Sequence, residues 1–421
     1  MKTDILSFIR SLEGECDCGG SHTCTLRDVV IDSGAVRRVG EILEKNAFPR
    51  DVLLVADKNT LAAAEGVADS LCGFNVEYKI YDSIRVAEMH HVCELEDIIK
   101  GRDIGILSVG TGSVNDPCRL AAARQDKMLC IFATAPSMDG FASYSSPIVD
   151  GGFKLSYPAK TPEVIIGDTR ILADAPTELK SAGFGDMIAK YVGLIDWRVS
   201  HILTGEVWCE KVASLTREAT DELFAMADLV TSRDEVTAGK IFESLLKTGI
   251  GMSFMQNSRP ASGSEHIVAH LIECIELRDG KIPNYHGDDV GVCTLEVLKL
   301  YSRLAEMTSV KAHAENVDWD EVFDYYGSMR DDVYGMNFPT SVTDGITPEL
   351  ICEKWDDVRD AIKSVPSYEE CFDAMRRAGC KITVEDIGKS RRLVDDCIKY
   401  SPFMRRRMTL LRLQTMIDTL F

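Results

Sequence analysis

The 421-residue chain has no apolar run approaching the roughly 18 residues that a membrane helix needs, so membrane insertion is not expected. It is also short of positive charge. Lysine and arginine total 47 against 67 aspartates and glutamates, a formal net charge of −20. Such a surface repels phosphate backbones and anionic lipid, which argues against nucleic-acid binding. A small anionic substrate stays open, because it needs only a few local cations or backbone amides. The 14 cysteines fall into no regular disulfide framework, and a chain this long can bury a core without one. They are expected to be mainly reduced, buried thiols in a cytoplasmic protein. The opening MKTDILSFIRSLEGE is too broken by Asp4, Arg10, Glu13 and Glu15 to form the apolar centre of a secretory signal. There is no internal repeat, low-complexity tract or long linker.

What is present divides the chain in two. Short apolar or β-branched runs recur at 29–34, 51–59, 103–110, 127–135 and 163–168, separated by Ala-rich helical segments such as NTLAAAEGVADSLC. That alternation implies parallel strands joined by helices, an α/β domain over residues 1–176. Residues 177–421 carry long amphipathic patterns, among them GDMIAKYVGLIDWRVSHIL and VCTLEVLKLYSRLAEM, and are expected to be all helical. A cleft between two such domains is a preferred place for a small ligand. The tail, with Arg405, Arg406 and Arg407 ahead of an apolar stripe, is expected to be a terminal helix docked on the domain or on a neighbouring subunit.

In GILSVGTGSVNDPCRLAAARQ, residues 105–125, a strand runs into Gly110, Gly112 and Ser113. Asp116 and Pro117 then suit a helix start as N-cap and first-turn residues. A turn of this kind can present free N–H groups to a phosphate, though it serves tight packing as readily. No Gly-Lys-Ser/Thr follows, so it is not a Walker A loop, and Asn115 stands where a GxGxxG fingerprint has its third glycine. Asp57, ending the run VLLVAD, suits either a ribose diol or a plain helix cap.

Three of the eight histidines fall close together: His266, His270 and His286. His266 and His270 are four apart on a helix that Ser262 or Ser264 could cap, so they share a face. Two imidazoles and a carboxylate around a divalent ion leave a position open for water or substrate. Asp186, after Gly183 and Gly185 at a helix start, is the candidate carboxylate, and equally suits a first-turn aspartate on the helix dipole. Lys190 and Arg259 could meet a substrate phosphate, or could each be an ordinary surface cation.

The densest metal-like stretch, ECDCGGSHTC at 15–24, places Cys16, Cys18, His22 and Cys24 together. Its C-x-C spacing is tighter than zinc knuckles use, and no second ligand pair follows nearby. Asp17, Gly19, Gly20 and Ser21 are turn formers. The expectation is therefore a turn leading into CTLRDVVID, with Cys16→Ser and Cys18→Ser leaving activity and bound metal nearly unchanged.

Five motifs, GTGSVND (110–116), ATAPSMDGFAS (133–143), GFGDMIAKY (183–191), GSEHIVAH (263–270) and YHGDDVGV (285–292), together resemble the bacterial-type sn-glycerol-1-phosphate dehydrogenases. These belong to the iron-containing alcohol dehydrogenase and dehydroquinate synthase-like superfamily. The resemblance implies a Rossmann-like dinucleotide-binding α/β domain, a helical metal- and substrate-binding domain, and reversible reduction of dihydroxyacetone phosphate with NAD(H) or NADP(H). It implies Asp186, His266 and His286 as ligands of one divalent ion, Zn²⁺, Ni²⁺ or Fe²⁺. Gly112, Ser113, Val114, Asn115 and Asp116 would form the pyrophosphate loop, Thr134, Ala135, Pro136, Ser137 and Ser143 would line the dinucleotide, and Asp57 would contact ribose. Asp139, Asp186 and His270 would touch substrate and carry the catalytic roles, and the enzyme would be a homo-oligomer, a dimer. Asn115 departs from the apolar residue expected there, which backbone phosphate binding tolerates. The alternatives are glycerol dehydrogenase or another polyol dehydrogenase of the superfamily, dehydroquinate synthase with its glutamate ligand, and a regulatory protein that has lost turnover.

Overall fold

The computed structural model describes residues 5–418. Helix α1 (Ile5–Leu12) and a small hairpin, β1 (Gly14–Glu15) and β2 (Ser21–His22), precede the main sheet. Then follow β3 (Asp28–Asp32), α2 (Val39–Lys45), β4 (Asp51–Asp57), α3 (Lys58–Ala63), β5 (Asn75–Tyr81), α4 (Met89–Ile99), β6 (Gly105–Gly110), α5 (Gly112–Arg124) and β7 (Leu129–Ala133). An antiparallel hairpin, β8 (Ser145–Asp150) and β9 (Phe153–Pro158), leads to β10 (Val164–Asp168).

Six strands form one parallel sheet in the order β3-β10-β7-β6-β4-β5. Five lie on the expected apolar runs. The sixth, β5, lies at the sheet edge, where solvent tolerates Glu77 and Lys79 and dilutes the apolar signal. The hairpin β8–β9 was not expected either. Its signal is the pair Gly151–Gly152, whose positive φ values of 58° and 85° make the tight turn. Inner strands are buried on both faces: Leu53, Val55, Ile106 and Ile131 face one core layer, and Val52, Leu54, Leu107 and Phe132 the other.

The winding reverses between β4 and β6. From β4 the chain moves outward to β5, then returns past β4 to β6, which pairs with β4 through Leu53–Ile106 and Val55–Ser108. Crevices at such switch points, beyond the carboxyl ends of the strands, are where doubly wound sheets bind ligands. Here those ends are Asp57 and Gly110.

The second half contains α6 (Thr169–Asp174), α7 (Thr177–Ile188), α8 (Lys190–Thr204), α9 (Glu210–Phe224), α10 (Glu235–Met255), α11 (Ser264–Arg278) and α12 (His286–Glu306), then shorter helices to Leu413. Among the described residues no strand follows Asp168, and no helix is long and apolar enough to cross a membrane. The expected continuous helix from 185 divides at Ala189, which keeps helical backbone angles (φ −55°, ψ −26°) between α7 and α8.

Backbones touch where α7 meets its neighbours. A Cβ on Gly183 would lie 2.0 Å from the Pro136 carbonyl oxygen, and one on Gly287 would lie 1.8 Å from that of Ala182. Only glycine permits either approach. The tail does dock, but its helix is a single turn, Leu410–Leu413, capped by Thr409. Buried Arg412 holds it there through Glu315 and Asn337.

Candidate active site

Three local structures converge on the cleft between the sheet and the helical half, a space of about 390 Å³. From the sheet come the end of β4 and the Gly110–Gly112 turn. Gly112 opens α5 directly, with Thr111 in extended conformation as N-cap. This corrects the expected start: Asp116 and Pro117 lie inside the helix, because Gly112 and Ser113 already have helical backbone. Gly112, Ser113 and Asp116 line the cleft, whereas Val114 packs behind it and Asn115 accepts a 2.6 Å hydrogen bond from the Ser108 hydroxyl. Buried Asp116 pairs with Arg119 at 3.2 Å, and burial still pushes its carboxyl up to about 6.

Asp57 caps α3, its carboxylate accepting from Thr60 N–H at 2.8 Å and from Ile84 N–H at 3.3 Å, and it also lines the cleft. The segment after β7 contributes Ser137, Asp139 and Ser143 to the lining. Thr134, Ala135 and Pro136 are buried behind them, with Pro136 against Gly183.

The helical half brings the ligand set. Asp186 lies in the last turn of α7 rather than at a helix start, His266 in the first turn of α11, and His286 opens α12. The α11 N-cap is Gly263, since the Ser264 N–H and hydroxyl are already engaged by Asp196 and Tyr301. One donor atom from each of Asp186, His266 and His286 falls within 4.8 Å of the other two. Asp186 Oδ1 is 3.4 Å from His266 Nε2. Two bonds of about 2.1 Å at a tetrahedral angle would separate nitrogen and oxygen by about 3.4 Å, so the gap is the size of an ion.

Each histidine is oriented from behind. His266 Nδ1–H donates to Glu265 at 2.6 Å and His286 Nδ1–H donates to Glu273 at 2.9 Å. Since a carboxylate only accepts, Nδ1 carries the proton in both rings and Nε2 is left as a donor for an ion. Asp186 accepts from the Asp139 N–H at 2.9 Å and from Lys190 at 2.7 Å. Despite burial, the Lys190 ammonium holds the Asp186 carboxyl well below its usual range. Asp139 is the opposite case: burial and the Asp186 charge raise it, although Lys190 lies 2.9 Å away. His270 lines the same wall 5.4 Å from His286, ring to ring, and burial beside Lys154 keeps its imidazole neutral.

Two cations expected at the surface are buried. Lys190 is fully enclosed between Asp139 and Asp186, and Arg259 points away from the cleft to Glu206 and the Met408 carbonyl. Neither is free for a phosphate. The basic residues that do line the cleft are Arg85 and Lys154, the latter paired with Glu273 at 2.5 Å. Glu265, Glu273 and Lys154 escaped the sequence reading. The first two were detectable, one beside His266 and the other seven residues on along the same helix face. Lys154, on a hairpin far from the histidines, was not.

Known proteins resemble this chain in sequence and in fold. Residues 30–176 match the family model described as iron-containing alcohol dehydrogenase. The glycerol-1-phosphate dehydrogenase [NAD(P)+] of Bacillus licheniformis is 26% identical over 97% of this chain and 94% of its own. That of Halalkalibacterium halodurans is 31% identical over 72% and 77%. Among solved structures, the NADH-dependent butanol dehydrogenase A of Thermotoga maritima superposes with a TM-score of 0.61 over 96% and 97% of the two chains, at 15% identity, which shows the shared fold.

Proposed function

The chain belongs to the glycerol-1-phosphate dehydrogenase family, and from that premise we propose that its cleft reversibly reduces dihydroxyacetone phosphate to sn-glycerol 1-phosphate with NADH or NADPH. One observation carries the reading. Asp186, His266 and His286 meet at ionic spacing, each histidine backed by its own carboxylate, beside a switch-point crevice suited to a dinucleotide.

On this reading the free N–H groups of Gly112 and Ser113 bind pyrophosphate at the α5 N-terminus, and Asp57 faces the ribose. Asp186, His266 and His286 would hold the divalent ion. A bound ion supplies Lewis acidity at the substrate oxygen, and a bound reduced nicotinamide supplies the hydride. Lys190 keeps Asp186 ionised and oriented. Asp139, whose carboxyl is raised by burial, and neutral His270 stand where a proton must be delivered to the new hydroxyl. Lys154 is the cleft cation assigned to the substrate phosphate.

The test is a coupled assay with metal-replete protein. Dihydroxyacetone phosphate, dihydroxyacetone and glyceraldehyde 3-phosphate are each offered with NADH and with NADPH. Turnover of dihydroxyacetone phosphate is expected, to a product that a dehydrogenase specific for sn-glycerol 3-phosphate refuses. Preference for unphosphorylated dihydroxyacetone would instead mark a polyol dehydrogenase, and no turnover of any substrate would mark a binding protein.

A further inference from the structure

The Cys-rich turn near the N-terminus acquires a partner that its sequence gave no hint of. Cys16 and Cys18 lie on the tight turn between β1 and β2, closed by Cys16 N–H to the Gly20 carbonyl at 2.9 Å, and His22 ends β2. Cys209, 187 residues beyond His22, is the N-cap residue of α9. It reaches the same point. Cys209 Sγ is 3.7 Å from Cys16 Sγ and 3.5 Å from His22 Nε2, and Cys18 Sγ is 3.6 Å from the same Nε2. All four donor atoms lie within 4.8 Å of one another. Cys24 is not among them; its N–H is bound to Glu13.

We propose that Cys16, Cys18, His22 and Cys209 bind a second metal ion, Zn²⁺, which ties the N-terminal hairpin to the start of α9. Bonds of about 2.3 Å to sulfur and about 2.0 Å to nitrogen at tetrahedral angles require edges of about 3.8 Å between sulfurs and about 3.5 Å between sulfur and nitrogen. The three distances match those edges. A disulfide does not fit them, since its sulfurs sit at about 2.05 Å. Ordinary hydrogen bonding fits no better, because two sulfurs approach one imidazole nitrogen that has a single lone pair or a single proton to offer. His22 is 2% exposed and stacks on Phe254 at 5.2 Å, so its Nε2 is fixed toward the sulfurs.

Three soft thiolates and one imidazole select Zn²⁺ over the hard cations. Four protein ligands leave no place for substrate, so the role is structural. Lys211, in the first turn of α9, is close enough to Cys16 and His22 to offset part of the cluster's negative charge. The proposal goes beyond what the sequence suggests because the fourth ligand is remote in the chain and carries no motif of its own. On it, Cys16→Ser and Cys18→Ser are expected to lose bound metal rather than leave it unchanged.

Metal content separates this ion from the one in the cleft. Protein made and purified under reducing conditions in zinc medium is expected to lose one ion per chain on Asp186→Ala and keep one. Adding Cys209→Ser removes the remaining ion, whereas adding Cys24→Ser does not. Co²⁺-loaded Asp186→Ala is expected to show a thiolate-to-metal charge-transfer band. A readout on the unmodified chain avoids any doubt about folding of variants. The cleft holds no cysteine ligand, so zinc removal should expose three additional thiols to an aromatic disulfide reagent, and zinc restoration should protect them. Equal thiol counts with and without zinc, or an Asp186→Ala protein that retains no tightly bound ion, would overturn the proposal.

Discussion

The cleft cluster and the hairpin cluster differ first in their donors: one carboxylate and two imidazoles at Asp186, His266 and His286, against three thiols and one imidazole at Cys16, Cys18, His22 and Cys209. They differ next in what stands behind the donors. The cleft ligands are each braced by a charged neighbour, Lys190, Glu265 or Glu273, so their orientation is set before an ion arrives. The hairpin ligands are held by backbone geometry, a four-residue turn and a helix cap. The contrast separates two uses of metal: three oxygen and nitrogen ligands facing a cavity leave room for chemistry, and four ligands in a closed shell leave room only for cohesion.

The contrast breaks most sharply at Asp186. Asp186→Ala should lower kcat for ketone reduction by roughly 10³-fold or more, equivalent to several kcal/mol of lost transition-state stabilisation, and leave thiol protection by zinc unchanged. If thiol protection fell as well, the two clusters would not be independent. Removing a brace tests the next level. Glu265→Gln or Glu273→Gln should weaken cleft metal affinity by about 10–100-fold, read by competition with a chelator, while the hairpin ion stays in place. Lys154→Met should raise KM for dihydroxyacetone phosphate by roughly tenfold with a smaller change in kcat, as expected for loss of one charge-assisted contact. An equal loss toward unphosphorylated dihydroxyacetone would reassign Lys154 to holding Glu273. Cys24→Ser should shift the denaturation midpoint least, by less than about 1 kcal/mol, because Cys24 belongs to neither cluster.

How far the sequence foretold each cluster follows from where its members lie along the chain. His266 and His270 share a helix face by spacing, and His286 follows a turn later, so they could be grouped without coordinates. Asp186 was found through its glycines, although its place at a helix end rather than a start came only with the structure. The inner strands were legible because burial on both faces makes them continuously apolar, and β5 was not because an edge relaxes that demand. Lys190 shows the limit of charge-based inference: a lysine reads as exposed until two carboxylates are seen to enclose it. Cys209, in the stretch VWCEK, has no neighbour that marks it as a ligand. Only folding brings it to the hairpin.

The backbone contact at Gly183 fixes more than a packing distance. Because α7 rests there on the carbonyl of Pro136, the floor of the cleft joins the α/β half to the helical half with no side chain between them to yield. At the lip the halves meet through Arg85, stacked over the exposed Tyr285 ring at 4.6 Å, a contact that solvent can replace. The Asp139 N–H to Asp186 hydrogen bond lies beside the fixed contact, so the spacing of those two residues is the dimension of the cleft that any parting of the lip would change least.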